Sequence, residues 1–218
     1  MYRNDFGAIR QPEAWVTNLI KALDGTAWTQ GIESDWRQRG SSINVDVYSY
    51  CSRRRLAVVQ VRECQFRPNR YNKVRKQYYL CGWNENGNAF AHPVDSVARS
   101  KTAMNTYEGG VVLALSRIWD CKPEDVDKVK RNGDVAFVPC TPPIGAVPAL
   151  QAKIVLAGSH VLTCERIQIK DGVYYAYGPA SIRHTKRQHK AVRVGQGCWR
   201  VMVGLRFQKW GFSEPTAD

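Results

Sequence analysis

The apolar positions along this chain change period several times. After Pro12, residues Trp15, Leu19, Ala22 and Leu23 recur at helical spacing and Gly25 closes the segment. That pattern predicts an amphipathic helix with Pro in its first turn. Trp15, Trp28 and Trp36 near it read as core aromatics. Past Gly40-Ser41-Ser42 the period shortens: Ile43, Val45 and Val47 alternate with polar neighbours, as in a strand with one wet face. Residues 56–61 and 77–83 read as further strands, with Arg53, Arg54, Arg55 and Arg62 at strand ends and the turn-rich PNRYNK as a loop. Asn84-Glu85-Asn86-Gly87 supplies a hairpin turn to a partner strand over 88–92. The result is a meander of about four strands.

Pro93 opens a region of helical intervals, through Val94, Val97 and Ala98 and again over 111–119, which Gly109-Gly110 separates into two helices. Pro123-Glu124-Asp125 begins a short helix with acids in its first turn, and Asn132-Gly133 ends it. From there the pattern is β throughout. GDVAFVP is a short strand and TPPIGAVPA a Pro-rich connection, the best linker candidate. Strands follow over 154–156 and 160–169, and Asp171-Gly172 turns the latter into 173–177, the strongest hairpin signal present. Strands over 191–194 and 198–207 complete the set. The predicted fold is α+β: an N-terminal antiparallel meander with helices, then an antiparallel β-rich module, barrel- or sandwich-like. The expected domains are 1–133 and 134–218.

Composition narrows the class. Of 218 residues, 44% are hydrophobic and 23% charged, which suits a globular chain with a real core. No apolar run reaches the roughly 20 residues of a membrane span, and MYRNDFGAIR lacks a signal-peptide core, so a cytoplasmic location is expected. The seven cysteines form no CxxC pair, so zinc ribbons and CxxC redox motifs are not indicated, and scattered buried thiols of a reducing compartment are.

The net charge of +13 changes the picture more. The surplus lies in 53–76 and in 183–209, separated by a balanced segment. Arg53, Arg54, Arg55, Arg67, Arg70, Lys73, Arg75 and Lys76 are interleaved with Phe66, Tyr71, Tyr78, Tyr79 and Trp83. Cations neutralise phosphates and aromatic faces stack on unpaired bases, so this stretch, with Tyr71 as the stacking candidate, reads as a nucleic-acid surface. The alternative is a solvated basic loop whose neighbouring aromatics are core. Arg183, Lys186, Arg187 and Lys190 form the second basic group.

Three of the four histidines, His160, His184 and His189, fall in the β-rich part. With Lys186, Arg187 or Lys190 they can be set up as base, acid and phosphorane-stabilising cation of a metal-independent ribonuclease. The same imidazoles, perhaps with Glu165, can be weighed as metal ligands, but HxxxxH is no tight ligand spacing, and neither a metal nor a cofactor is expected. Plain phosphate-contacting or structural histidines are the simpler reading. Walker, Rossmann, GxSxG and deaminase motifs are all missing.

GDVAFVP, GSH and HTKRQH together resemble motifs of uncharacterised small β-rich proteins of bacteria and phages, over about the last third of the chain. The resemblance implies a module and no function. The expected function is binding of RNA or single-stranded DNA, as a subunit of a bacterial or phage ribonucleoprotein or defence system, with possible protein partners and no membrane. A ribonuclease and a basic protein–protein scaffold are the alternatives.

Overall fold

The computed structural model describes residues 9, 11–23, 42–65, 73–84, 87–94, 108–133, 135–149, 152–187 and 190–203. It is an α+β protein in which antiparallel sheets dominate. Two compact units meet in the chain between Ala114 and Leu115, within a helix.

In the first unit, helix α1 (Ala14–Leu23) precedes strands β1 (Ser42–Cys51), β2 (Leu56–Gln65), β3 (Lys73–Trp83) and β4 (Ala89–Val94), paired antiparallel in chain order. One face of the sheet, through Val47, Ala57, Val59, Val61, Tyr79 and Cys81, buries against Val16, Leu19 and Leu23 of α1. The helix starts two residues after Pro12, and Trp15 stays half-exposed with its ring edge-on to Tyr50.

The opposite face is also buried, yet it is polar. Gln60 accepts from the Tyr48 hydroxyl at 3.3 Å and donates to Tyr78, whose ring meets Tyr48 edge-on. Arg62, expected at a strand end, instead sits inside β2, nearly buried and ion-paired to Asp46 at 2.7 Å. A side chain that carries a charge into a sheet face needs such a partner. Helix α2 (Gly109–Ile118) reaches this face at its start, where the Val111 amide donates to Ser49 Oγ at 3.0 Å. Gly109-Gly110 therefore begins the helix expected over 111–119, and the helix expected before it, through Val97 and Ala98, lies outside the described residues. Pro93 and Val94, expected to open a helical region, belong to β4, and Pro is tolerated there because β4 is an edge strand.

The second unit is an eight-stranded antiparallel sheet. Its strands are β5 (Lys130–Asn132), β6 (Val135–Pro139), β7 (Val147–Pro148), β8 (Lys153–Leu156), β9 (His160–Lys170), β10 (Val173–His184), β11 (Val192–Val194) and β12 (Cys198–Val203). Its path runs β5-β6-β12-β10-β9-β7, with β11 on β10 and β8 on β9. The long β9–β10 hairpin is the spine. Its turn, Asp171-Gly172, has both residues left-handed at φ 51° and 75°, the geometry that matches strand twist. β10 pairs with β12 over 174–177 and with β11 over 180–182, changing partner at the Gly178-Pro179 bulge. Phe137, Leu162, Ile167, Ile182 and Val201 fill the core.

Two expectations are corrected here. Asn132 does not end the short helix, which is a 3-10 helix over Pro123–Lys128; it belongs to β5. The Pro-rich segment is no linker either, because Val147 and Pro148 pair with β9 inside the sheet.

Candidate nucleic-acid interface

The basic stretch 53–76 does not form one loop. Arg53, Arg54 and Arg55 make the tight β1–β2 turn, where Arg55 is left-handed at φ 53°. Lys73, Arg75 and Lys76 lie in β3, whose start is at the other end of the sheet. β2 runs between these two places, so about 30 Å of strand separates them. Arg67, Arg70 and Tyr71 lie outside the described residues, as do the side chains of Lys73 and Arg75.

Some of the turn's chemistry is structural. Glu13 accepts from Ser52 Oγ at 2.5 Å and from the Trp15 indole at 2.8 Å, and the Arg55 guanidinium lies 5.4 Å from the Trp15 ring centroid. These contacts seat the start of α1 on the turn. Tyr78 and Tyr79 are core residues. Trp83 is 38% exposed at the end of β3, and its strand register continues level with the arginine turn.

The second unit assembles a denser site. His160 opens β9 and His184 closes β10, directly opposite each other. Their rings meet edge-on, 4.9 Å apart, and both are buried at 4% and 3% exposure. The Lys186 amide donates to His184 Nδ1 at 3.2 Å, so that nitrogen carries no proton. Ser159 Oγ lies 3.2 Å from His160 Nδ1. The Thr185 amide donates to Ser159 O, tying the basic turn to the β8–β9 turn, and the Arg187 amide donates to His184 O within the basic turn itself. Downstream, buried Asn132 donates to Lys190 O at 2.6 Å.

These imidazoles are therefore braces under a basic rim. Arg183, Lys186, Arg187 and Lys190 are all exposed above them. No acid occurs anywhere from Arg183 to Arg193. Both rings are enclosed, and His189 lies outside the described residues. Among the described residues no group of three or more His, Cys, Asp or Glu is placed to hold a metal ion.

Strand register adds residues that linear reading missed. Lys153 pairs with Thr163, Thr163 with Ser181, and Ser181 with Arg193. Opposed residues in an antiparallel sheet share a face, and Leu162, Ile182 and Val194 in the neighbouring positions point into the core. The outer face thus carries a row of cation, hydroxyl, hydroxyl and cation across about 14 Å. A shallow groove of about 340 Å³ runs beside it, lined by Thr163, Glu165, Pro179, Ser181 and Arg193. The alternation of inward and outward residues was legible for each strand alone. Nothing local said that Lys153 and Arg193 end one row.

Comparison with known protein families, curated proteins and solved structures finds no match for the chain. No helix among the described residues is long and apolar enough to cross a membrane.

Proposed function

We propose that the chain binds single-stranded nucleic acid, RNA or single-stranded DNA, with the outer face of its second unit as the principal phosphate-binding surface. One observation carries this reading. Lys153, Arg183, Lys186, Arg187, Lys190 and Arg193 are exposed around a hydroxyl-bearing strand row, over a turn pinned by buried side chains. Lysine and arginine supply the electrostatic attraction, and Thr163 and Ser181 can donate to phosphate or sugar oxygens. In the first unit, Trp83 and the Arg53–Arg55 turn offer a stacking face beside cations.

The test uses a short labelled single strand followed by fluorescence anisotropy, with unlabelled RNA and an acidic peptide of matched charge as competitors. Displacement by RNA but not by the peptide is expected. Equal displacement by both would make the surface a docking face for acidic proteins, the scaffold reading. No binding at low salt would remove the proposal.

A further inference from the structure

Cys140 and Cys198 are 58 residues apart in sequence and belong to no motif. Folding sets them opposite each other where β6 ends and β12 begins, one step beyond the Trp199–Pro139 pair. The Cys140 amide donates to Cys198 O at 3.1 Å, and the two sulfurs are 3.5 Å apart. Among the described cysteines they are the pair in thiol–thiol contact. Opposed residues of an antiparallel ladder have Cα atoms about 5.5 Å apart, inside the range of about 4.4–6.8 Å that a disulfide spans. Both residues are half-buried, whereas Cys51 and Cys81 are fully enclosed.

We propose that Cys140 and Cys198 are a thiol-oxidation site, forming a reversible cross-strand disulfide by exchange with a low-molecular-weight disulfide such as oxidised glutathione. One thiol loses its proton to water, and its thiolate attacks the glutathione disulfide. A mixed disulfide forms and one glutathione thiolate leaves. The second protein thiol then deprotonates, attacks the protein-bound sulfur and releases the second glutathione. Two protein thiols are oxidised, one disulfide is reduced to two thiols, and excess thiol reverses the sequence.

The surroundings set the rate. Burial, and then the hydrogen bond with Cys198, push the Cys140 thiol up to about 12. Exchange therefore accelerates as pH rises, because the thiolate is the nucleophile. The new bond draws the sulfurs from 3.5 Å to about 2.05 Å. It fastens β12 at its first residue, beside the Gly195–Gly197 loop that leads back to Arg193.

The experiment equilibrates the reduced full chain with oxidised and reduced glutathione at mildly alkaline pH, alkylates it, and reads intact mass and a non-reducing peptide map. The expected product lacks two alkylation sites and contains a Cys140–Cys198 crosslinked peptide that excess thiol releases. In Cys140→Ser the crosslink disappears and Cys198 retains one glutathione. The proposal is overturned if both cysteines of the wild-type chain stay fully alkylated at the most oxidising ratio. It is equally overturned if the crosslink joins either one to a different cysteine. Because the map is made on the wild-type chain, a variant that fails to fold does not rescue the idea.

Discussion

The salt dependence of binding offers the most direct quantitative test of the outer-face surface. Lys186 sits on the exposed turn and Arg193 ends the strand row, and neither side chain enters the core. Replacing both with Gln keeps their polar, solvated character while removing two charges. If all six exposed cations contact phosphates, a single strand should bind with a log–log salt slope of about −4.2, at roughly 0.7 per contact. The double variant should then show about −2.8, so a fourfold rise in salt weakens the wild type by about 340-fold and the variant by about 50-fold. Anisotropy titrations at several salt concentrations measure the slopes. A thermal melt should show stability within about 0.5 kcal/mol of wild type, as for surface changes away from packed features. An unchanged slope in a folded variant would refute the assignment and move the binding face elsewhere.

Four further outcomes follow from the geometry. Trp83→Ala should lower single-strand affinity by about 1–3 kcal/mol, as should Tyr71→Ala if Tyr71 stacks on a base; loss of stability with affinity intact would make either one a packing residue. Gly110→Ala places a Cβ 2.6 Å from Ser49 Cβ, so chemical denaturation should show a loss of about 1–3 kcal/mol despite alanine's better helix propensity, and a more stable variant would contradict the packing. Burial holds the His92 imidazole below its ordinary value, so the unfolded chain binds the proton more readily. The His92 contribution is then intact above about pH 6.5 and lost as pH falls below it, and His92→Gln should lose less stability than wild type between neutral and mildly acid pH. RNA incubated with clean protein in EDTA should stay intact, since His160 and His184 are enclosed; products ending in 2′,3′-cyclic phosphate that vanish in His160→Ala would restore the ribonuclease reading.

Much of the secondary structure was legible because its causes are local. The alternation of Ile43, Val45 and Val47 specifies a strand face within a few residues, and Asp171-Gly172 specifies a hairpin because both positions adopt left-handed φ. The α+β order, with a meander followed by a β-rich module, emerged from such signals placed end to end. Segments with mixed signals failed. Pro93 suggests a helix start by residue type, and only an edge position in the sheet makes it a strand residue. At Gly110 the reason for glycine is tertiary, because the space beside Ser49 admits nothing larger.

Sites depend on another kind of information. Charge density along the chain is not charge density in space: the arginines of the β1–β2 turn and the lysine that opens β3 are neighbours in sequence, yet lie a strand's length apart. Conversely, Lys153 and Arg193 are distant in sequence and share one row. His160 and His184, suggestive as a catalytic pair, meet by register and are then enclosed. Cys140 and Cys198 come together because β6 pairs with β12, a choice made by burying Val135, Phe137 and Val201 in one core. Residue type and local period were set by the sequence directly. Which residues become neighbours was decided by long-range strand pairing, because the chain lowers its free energy by burying apolar faces, and the polar groups take the positions that this packing leaves.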